Sequence, residues 1–412
     1  MTRPVALLLV LMVFAAVNAQ RRQAQRPQTR ALVLTHVTVI DMTGAPAKAD
    51  MTVVITGSRI TAVGKVGQAR PPLGAQIVDA NGMFLIPGLW DMHVHFTEIE
   101  RSFPLFIANG VTGVRNMGGD RLPRESYFAM VEEGKKLELP IVGHVPLSVT
   151  SVEASESGQR SIEHLGSILE STSSIESELH RLETSGEPVT DPSEFPRRIA
   201  ARGARMLDTY DARKAQEVFA ILVRNQTWQV PTLEFKWAQT YIDDLSRNGD
   251  SRLRYIPESE QQWWAPQKNF FARFRTAEYI SYRKRLFKEL ELVGAMHKAG
   301  VSFMTGTDLS GAYVFAGFSL HHELELYVQA GFTPMEALQA ATRNPAIFFG
   351  ELNSHGTVEE GKVADLVLLG ANPLENIRNT QRIDGVVLNG RYLPKQTLQR
   401  MLDKVEAAAR RR

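Results

Sequence analysis

A chain of 412 residues, 43% of them hydrophobic, is long enough for one large domain or two ordinary ones. Its formal net charge of +2 is spread along the sequence, which offers no basic patch for nucleic acid and implies no strongly acidic substrate. It holds no cysteine, so disulfides and thiolate ligands are excluded and any metal site must come from His, Asp, Glu or Lys.

Arg3 precedes an apolar run over residues 5–17, and Val17-Asn18-Ala19 places small residues where a signal peptidase cuts. The run is short for a membrane span. The expectation is a cleaved signal over 1–19, a flexible leader over 20–29, and an exported chain, periplasmic or secreted. No stable membrane association is expected after cleavage; a retained anchor is the alternative. Strands rich in β-branched residues follow at 32–41, 51–56, 59–64 and 75–80, with turns at Gly57-Ser58 and Asn81-Gly82. The far end repeats this character at 364–369 and 385–393, turning at Asn389-Gly390. The two ends, 30–85 and 351–395, therefore read as one small β domain assembled from both termini, with two unrelated β patches as the alternative. Residues 396–412 read as a C-terminal tail, frayed and helical from 406.

Between the ends, short apolar strands alternate with helical stretches, which favours a parallel sheet or barrel over 86–350. Strands are expected at 86–92, 111–116, 140–144, 160–164, 228–233 and 301–307. The long helical region at about 167–300 carries Trp237, Tyr241, Tyr255, Trp263, Trp264, Phe270, Phe271 and Phe274. These read either as core or as a lid over a pocket.

Residues i and i+2 of a strand face the same way, so His93 and His95 in LIPGLWDMHVHF converge. His144 ends LPIVGH, His164 ends RSIEH and Asp308 ends VSFMTGTD. At the C-terminal ends of strands in one barrel, all five side chains would meet in the mouth. Neutral imidazole and carboxylate suit zinc and similar divalent ions. The alternative for Asp308 is a helix N-cap. His321 and His322, opening HHELELYVQAG, could reach the mouth in a supporting or solvated role.

PGLWDMHVH, GVTGVRNMGG, VGHVP, SIEHL, TGTD, AATRNPA and GTVEEGKVADLVLL together resemble the amidohydrolase superfamily, in its imidazolonepropionase-like and prolidase-like branch. The motifs run in family order over about 30–395. The resemblance implies an α/β fold: a TIM-like (β/α) metal-dependent hydrolase barrel with a composite β-sandwich from both chain ends. It also implies that His93, His95 and Asp308 bind the more buried metal and His144 and His164 the second. Asp308 would then be catalytic as proton shuttle, on a small-molecule or dipeptide-like substrate, with a homo-oligomer left open.

The sequence departs from the family pattern in one place. Binuclear members carry a bridging carboxylated lysine on the fourth barrel strand, and no matching segment exists here. After GVTGVRNMGGD the chain enters one helix, about 125–137, and then His144. Lys135 and Lys136 sit on that helix among charged neighbours and should face solvent. An incomplete barrel is expected, with the junction at Asp120-Arg121 and exposed strand edges. The expected cofactor is Zn, one or two per chain with one favoured. The expected function is C–N bond hydrolysis. The alternatives are a mononuclear deaminase-like or lactonase-like enzyme, and an inactive member.

Overall fold

The computed structural model describes residues 30–95, 98–118, 122–185, 194–264, 274, 276–309 and 311–411. The expected signal and leader, and the Asp120-Arg121 junction, lie outside the described residues.

Strands from both ends of the chain share one sheet. From the N-terminal end come β1 (Leu32–Val39), β2 (Lys48–Thr56), β3 (Arg59–Lys65), β4 (Gln76–Asp79) and β5 (Phe84–Pro87). Between the ends lie β6 (Leu89–Val94), β7 (Val111–Asn116), β8 (Val142–Gly143), β9 (Ser161–Glu163) and β10 (Trp228–Val230). From the C-terminal end come β11 (Leu366–Leu369), β12 (Ile383–Leu388) and β13 (Arg391–Pro394). The end sheet runs β13-β12-β11-β5-β1-β2-β3, with β4 alongside β1. It curls on itself: Ile60 of β3 donates to the Lys362 carbonyl, and Gly361 donates back to Ile60, just before β11. The curl encloses Leu34, Val37, Val53, Ile55, Leu85, Leu366 and Leu368, which share one apolar core. The hairpin between β12 and β13 turns through Asn389 and Gly390, at φ of 50° and 78°. A Cβ at Gly390 would lie 1.8 Å from the Gly57 carbonyl oxygen, so glycine is required for space as well as for φ.

The barrel strands are shorter. β6 pairs in parallel with β7, and β8-β9-β10 form a parallel trio. The segment expected as a strand at 301–307 joins the two groups without forming a regular ladder. It donates Met304 N–H to the Gln229 carbonyl of β10 and accepts from Met92 of β6 at the Thr305 carbonyl. Its Thr307 N–H goes to the Asp91 carboxylate instead of to a backbone carbonyl (2.9 Å), and the Thr307 hydroxyl follows it (2.7 Å). That side-chain substitution is the physical reason the ladder fails there.

The strand order is therefore β8-β9-β10-(301–308)-β6-β7. Among the described residues, β7 pairs only with β6 and β8 only with β9. Side chains cover the break. Met117, one residue past β7, lies 3.5 Å from where a Cβ on Gly143 would sit. Outside the barrel, Ile162 and Phe303 pack with Phe219, Leu222, Leu290, Val293 and Tyr327 of the surrounding helices.

Helix Arg124–Lys136 fills the expected 125–137 position, and Lys135 and Lys136 are exposed on it. The 167–300 region divides around β10. Before it, helices such as Ala212–Arg224 pack on the outer barrel through Val218, Phe219 and Leu222. After it, helix Leu233–Thr240 starts at the strand end, and helix Glu258–Trp264 is tied to helix Ile99–Ala108 by Arg101–Glu260. The expected C-terminal tail needs correction. Residues 395–409 form a helix with Leu398, Val405 and Ala409 buried, so its apolar stripe docks instead of fraying. Among the described residues no helix is long and apolar enough to cross a membrane.

Candidate metal centre

The five residues picked from strand ends meet in one place. His93 and His95 close β6, where the pairing register shifts between Asp91 and Val94. Such irregularities re-aim side chains beside active sites. His144 follows β8, His164 follows β9, and Asp308 ends the 301–308 segment. Gly306 of TGTD makes the approach possible, since a Cβ there would lie 2.7 Å from the His93 Cβ.

His93 Nε2 lies 3.1 Å from His95 Nε2 and 3.7 Å from Asp308 Oδ1. His95 Nε2 is 3.4 Å from the same oxygen. His144 and His164 face each other at 2.8 Å through their Nε2 atoms, and His164 Nε2 is 3.8 Å from Asp308 Oδ2. Two ligand triads result, His93/His95/Asp308 and His93/His144/His164, each with donor atoms within 4.8 Å of one another. The division implied by the family resemblance placed His93 in the first set only; here it belongs to both.

The tautomers can be argued from the outer contacts. His93 Nδ1 points at the Glu163 carboxylate, 2.8 Å away, and an ionised carboxylate accepts only. Nδ1 therefore carries the proton, and Nε2 turns a lone pair inward. His164 Nδ1 contacts the Thr232 hydroxyl at 2.6 Å, and the Thr232 hydroxyl itself donates to the Pro231 carbonyl, so it accepts from His164. Loss of solvent, then the neighbouring His93, pushes His144 below the usual histidine range. The same causes, burial first, push His164 well below it. His93 and His164 thus turn Nε2 lone pairs inward, toward His95 Nε2 at 3.1 Å and His144 Nε2 at 2.8 Å. The donor set thus fits a divalent metal.

Three of the strand-end residues are strained. His164, Thr232 and Asp308 all have left-handed backbone, at φ of 58°, 49° and 55°. Non-glycine residues held there cost about 1–3 kcal/mol each and cluster at functional sites. The left-handed turn at Asp308 also removes the helix N-cap alternative, because the next helix begins only at Phe318.

Sequence reasoning missed Glu163, Arg115 and Thr232. Glu163 precedes His164, so strand alternation would aim it away from the site; the left-handed turn at His164 breaks that alternation. Burial alone would raise the Glu163 carboxyl. The His93 hydrogen bond and the Arg115 guanidinium overcome this and hold it below its usual range. Asp91 lies just behind, and burial pushes it up to about 6 despite hydrogen bonds from Thr307 and His93. His321 is buried against Thr380, while His322 contacts Glu234 and Trp237; neither joins the ligand triads. Phe235, on the helix after β10, sits 6.2 Å from the His164 ring and forms one wall of the mouth.

Residues 240–393 match the amidohydrolase family model. An adenine deaminase of Moorella thermoacetica is 20% identical over 83% of this chain and 54% of its own length, so the chain spans about half of that relative. Among solved structures, the bottromycin amidohydrolase is similar with a TM-score of 0.69 at 20% identity, covering 94% of this chain and 92% of that one. An Xaa-Pro dipeptidase with methionine bound in its active site gives 0.52 at 19% identity, covering 88% and 100%. Residues 240–393 thus match the amidohydrolase family model, and the chain shares the fold of the bottromycin amidohydrolase.

Proposed function

We propose that this chain is a metal-dependent hydrolase of C–N bonds in small amides or dipeptide-like molecules. The observation that carries the reading is the face-to-face convergence of four imidazoles and one carboxylate, with the protons of His93 and His164 turned outward. The adenine deaminase, amidohydrolase and dipeptidase similarities support the class of bond.

His93, His95 and Asp308 would hold one divalent ion, with His144 and His164 beside it. Bound there, such an ion supplies polarisation of the scissile carbonyl and makes water nucleophilic at neutral pH. Asp308 is the proton carrier. Its carboxylate takes a proton from the attacking water as the C–O bond forms, then delivers it to the departing nitrogen as the C–N bond breaks. Phe235 stands beside the His164 ring at the mouth.

His93 has one inward lone pair and stands in both triads, so it can complete only one of them at a time. We therefore favour one tightly held ion, most simply Zn²⁺, per chain. The same observation favours a second reading, a mononuclear deaminase. A panel of dipeptides, lactams and aminopurines, scored separately for ammonia and for amine release, separates the two. Chelation should abolish turnover and Zn²⁺ or Mn²⁺ should restore it; full turnover in metal-free protein would refute both. We also propose export, supported by the apolar run after Arg3. A mature N-terminus near Gln20 supports it, and an intact Met1 on the cellular protein opposes it.

A further inference from the structure

The barrel interior holds one buried ion pair that the chemistry above does not use. Arg115 lies on β7, the strand whose outer edge has no ladder among the described residues. Its guanidinium crosses the interior. Nε donates to the Met92 carbonyl of β6 at 2.7 Å, Nη1 to the Ser161 hydroxyl of β9 at 3.2 Å, and Nη2 to Glu163 Oε1 at 2.8 Å. Ser161 donates to the same oxygen at 2.6 Å. One Glu163 oxygen is thereby saturated, and the other, Oε2, is left for His93 Nδ1–H. The Glu163 side chain is 0% exposed and that of Arg115 10%.

We infer that Glu163 is a positioning residue for the metal centre and that Arg115 holds the strands around it. The pair ties β7, whose outer edge has no ladder among the described residues, to β9 through the barrel interior, and Glu163 fixes the tautomer and tilt of His93, the one ligand common to both triads. A buried pair of this kind is a poor source of net stability, because desolvation of both charges offsets their attraction. A carboxylate behind a ligating histidine, by contrast, raises its basicity and orients its ring. The geometry therefore assigns Glu163 a role in metal affinity that is separable from the pair's role in holding the strands. This rests on the metal-site reading above.

The test uses the full chain, Zn²⁺ alone as probe, affinity by competition with a chromophoric chelator, and melting of the metal-free protein. Glu163→Gln should weaken Zn²⁺ binding about 10- to 100-fold. It should also lower metal-free melting, since Arg115 is left buried without its counter-charge. Arg115→Met should lower melting with a much smaller loss of Zn²⁺ affinity, because the acceptor for His93 remains. The double variant Glu163→Leu/Arg115→Met leaves no unpaired charge. It should recover the melting temperature while Zn²⁺ binding stays weak. That split supports positioning; a purely structural pair would recover both together. Unchanged Zn²⁺ affinity in Glu163→Gln, or recovery of affinity in the double variant, overturns the inference. If Glu163→Gln does not fold, the double variant decides by the same two readouts. A wild-type chain that binds no Zn²⁺ refutes the metal reading itself, and this inference with it.

Discussion

The end sheet and the barrel are both built of strands, yet they are built for different ends. The end sheet is laddered across eight strands and encloses an apolar core in which Leu34, Val37, Val53 and Leu366 are fully buried. The barrel has strands of two or three residues at β8, β9 and β10, and a segment at 301–308 whose ladder is interrupted by Asp91. Its buried groups include His93, Glu163, Asp91 and Asp308, and three of its strand ends are left-handed. Apolar burial contributes stability roughly in proportion to area, whereas a converging polar site contributes little and costs strain. The contrast teaches that the end sheet encloses its apolar core, whereas the barrel keeps its apolar packing outside, against the helices, and leaves its interior to the polar site.

The sharpest way to break the comparison is Asp308→Asn. It should cost about 10²- to 10⁴-fold in kcat, with a smaller change in KM, since proton transfer belongs to the transition state. Melting of the metal-free protein should move little. A large fall in melting with turnover intact would mean that Asp308 is structural. The complementary change is Leu366→Ala in the end sheet, which should cost about 2–5 kcal/mol in denaturant unfolding. Zn²⁺ affinity should be retained in the fraction that remains folded. A site lost in parallel would show that the two strand systems are not separable.

A pH measurement sharpens the barrel side. Burial pushes His321 down to about 4, from an ordinary value of 6.5. Its neutral form is the one the fold accepts, so the unfolded chain takes up the proton first. Stability linked to His321 is complete above pH 6.5 and is lost as pH falls toward about 4, a difference of about 3 kcal/mol. Replacing His321 with Gln should flatten that part of the stability–pH curve. The smallest effect is expected at Arg124→Ala, which removes a half-buried pair with Glu153 that solvent still screens, and should cost about 1 kcal/mol or less in thermal unfolding.

Much of this was legible in the sequence for local reasons. Period-two alternation and the turns at Gly57-Ser58, Asn81-Gly82 and Asn389-Gly390 mark the end strands, because turn chemistry acts over a few residues. HxH, GH, EH and TD at the ends of apolar runs mark the five converging residues. What was not legible depends on contacts distant in sequence. Glu163 is hidden by the broken alternation at His164. Arg115 reads as an ordinary strand residue until β9 is brought opposite it. The helix at 395–409 reads as a frayed helical tail because its buried stripe, Leu398 and Val405, is sparse and needs a partner surface to be recognised.

The central claim is that these residues form a metal site in which His93 serves one ion at a time. The most direct test is elemental analysis of the purified full-length chain after Zn²⁺ loading and exhaustive dialysis. The account predicts close to one Zn²⁺ per chain, lost in His93→Ala. Close to two per chain would contradict the argument from the shared lone pair, and none at all would contradict the site.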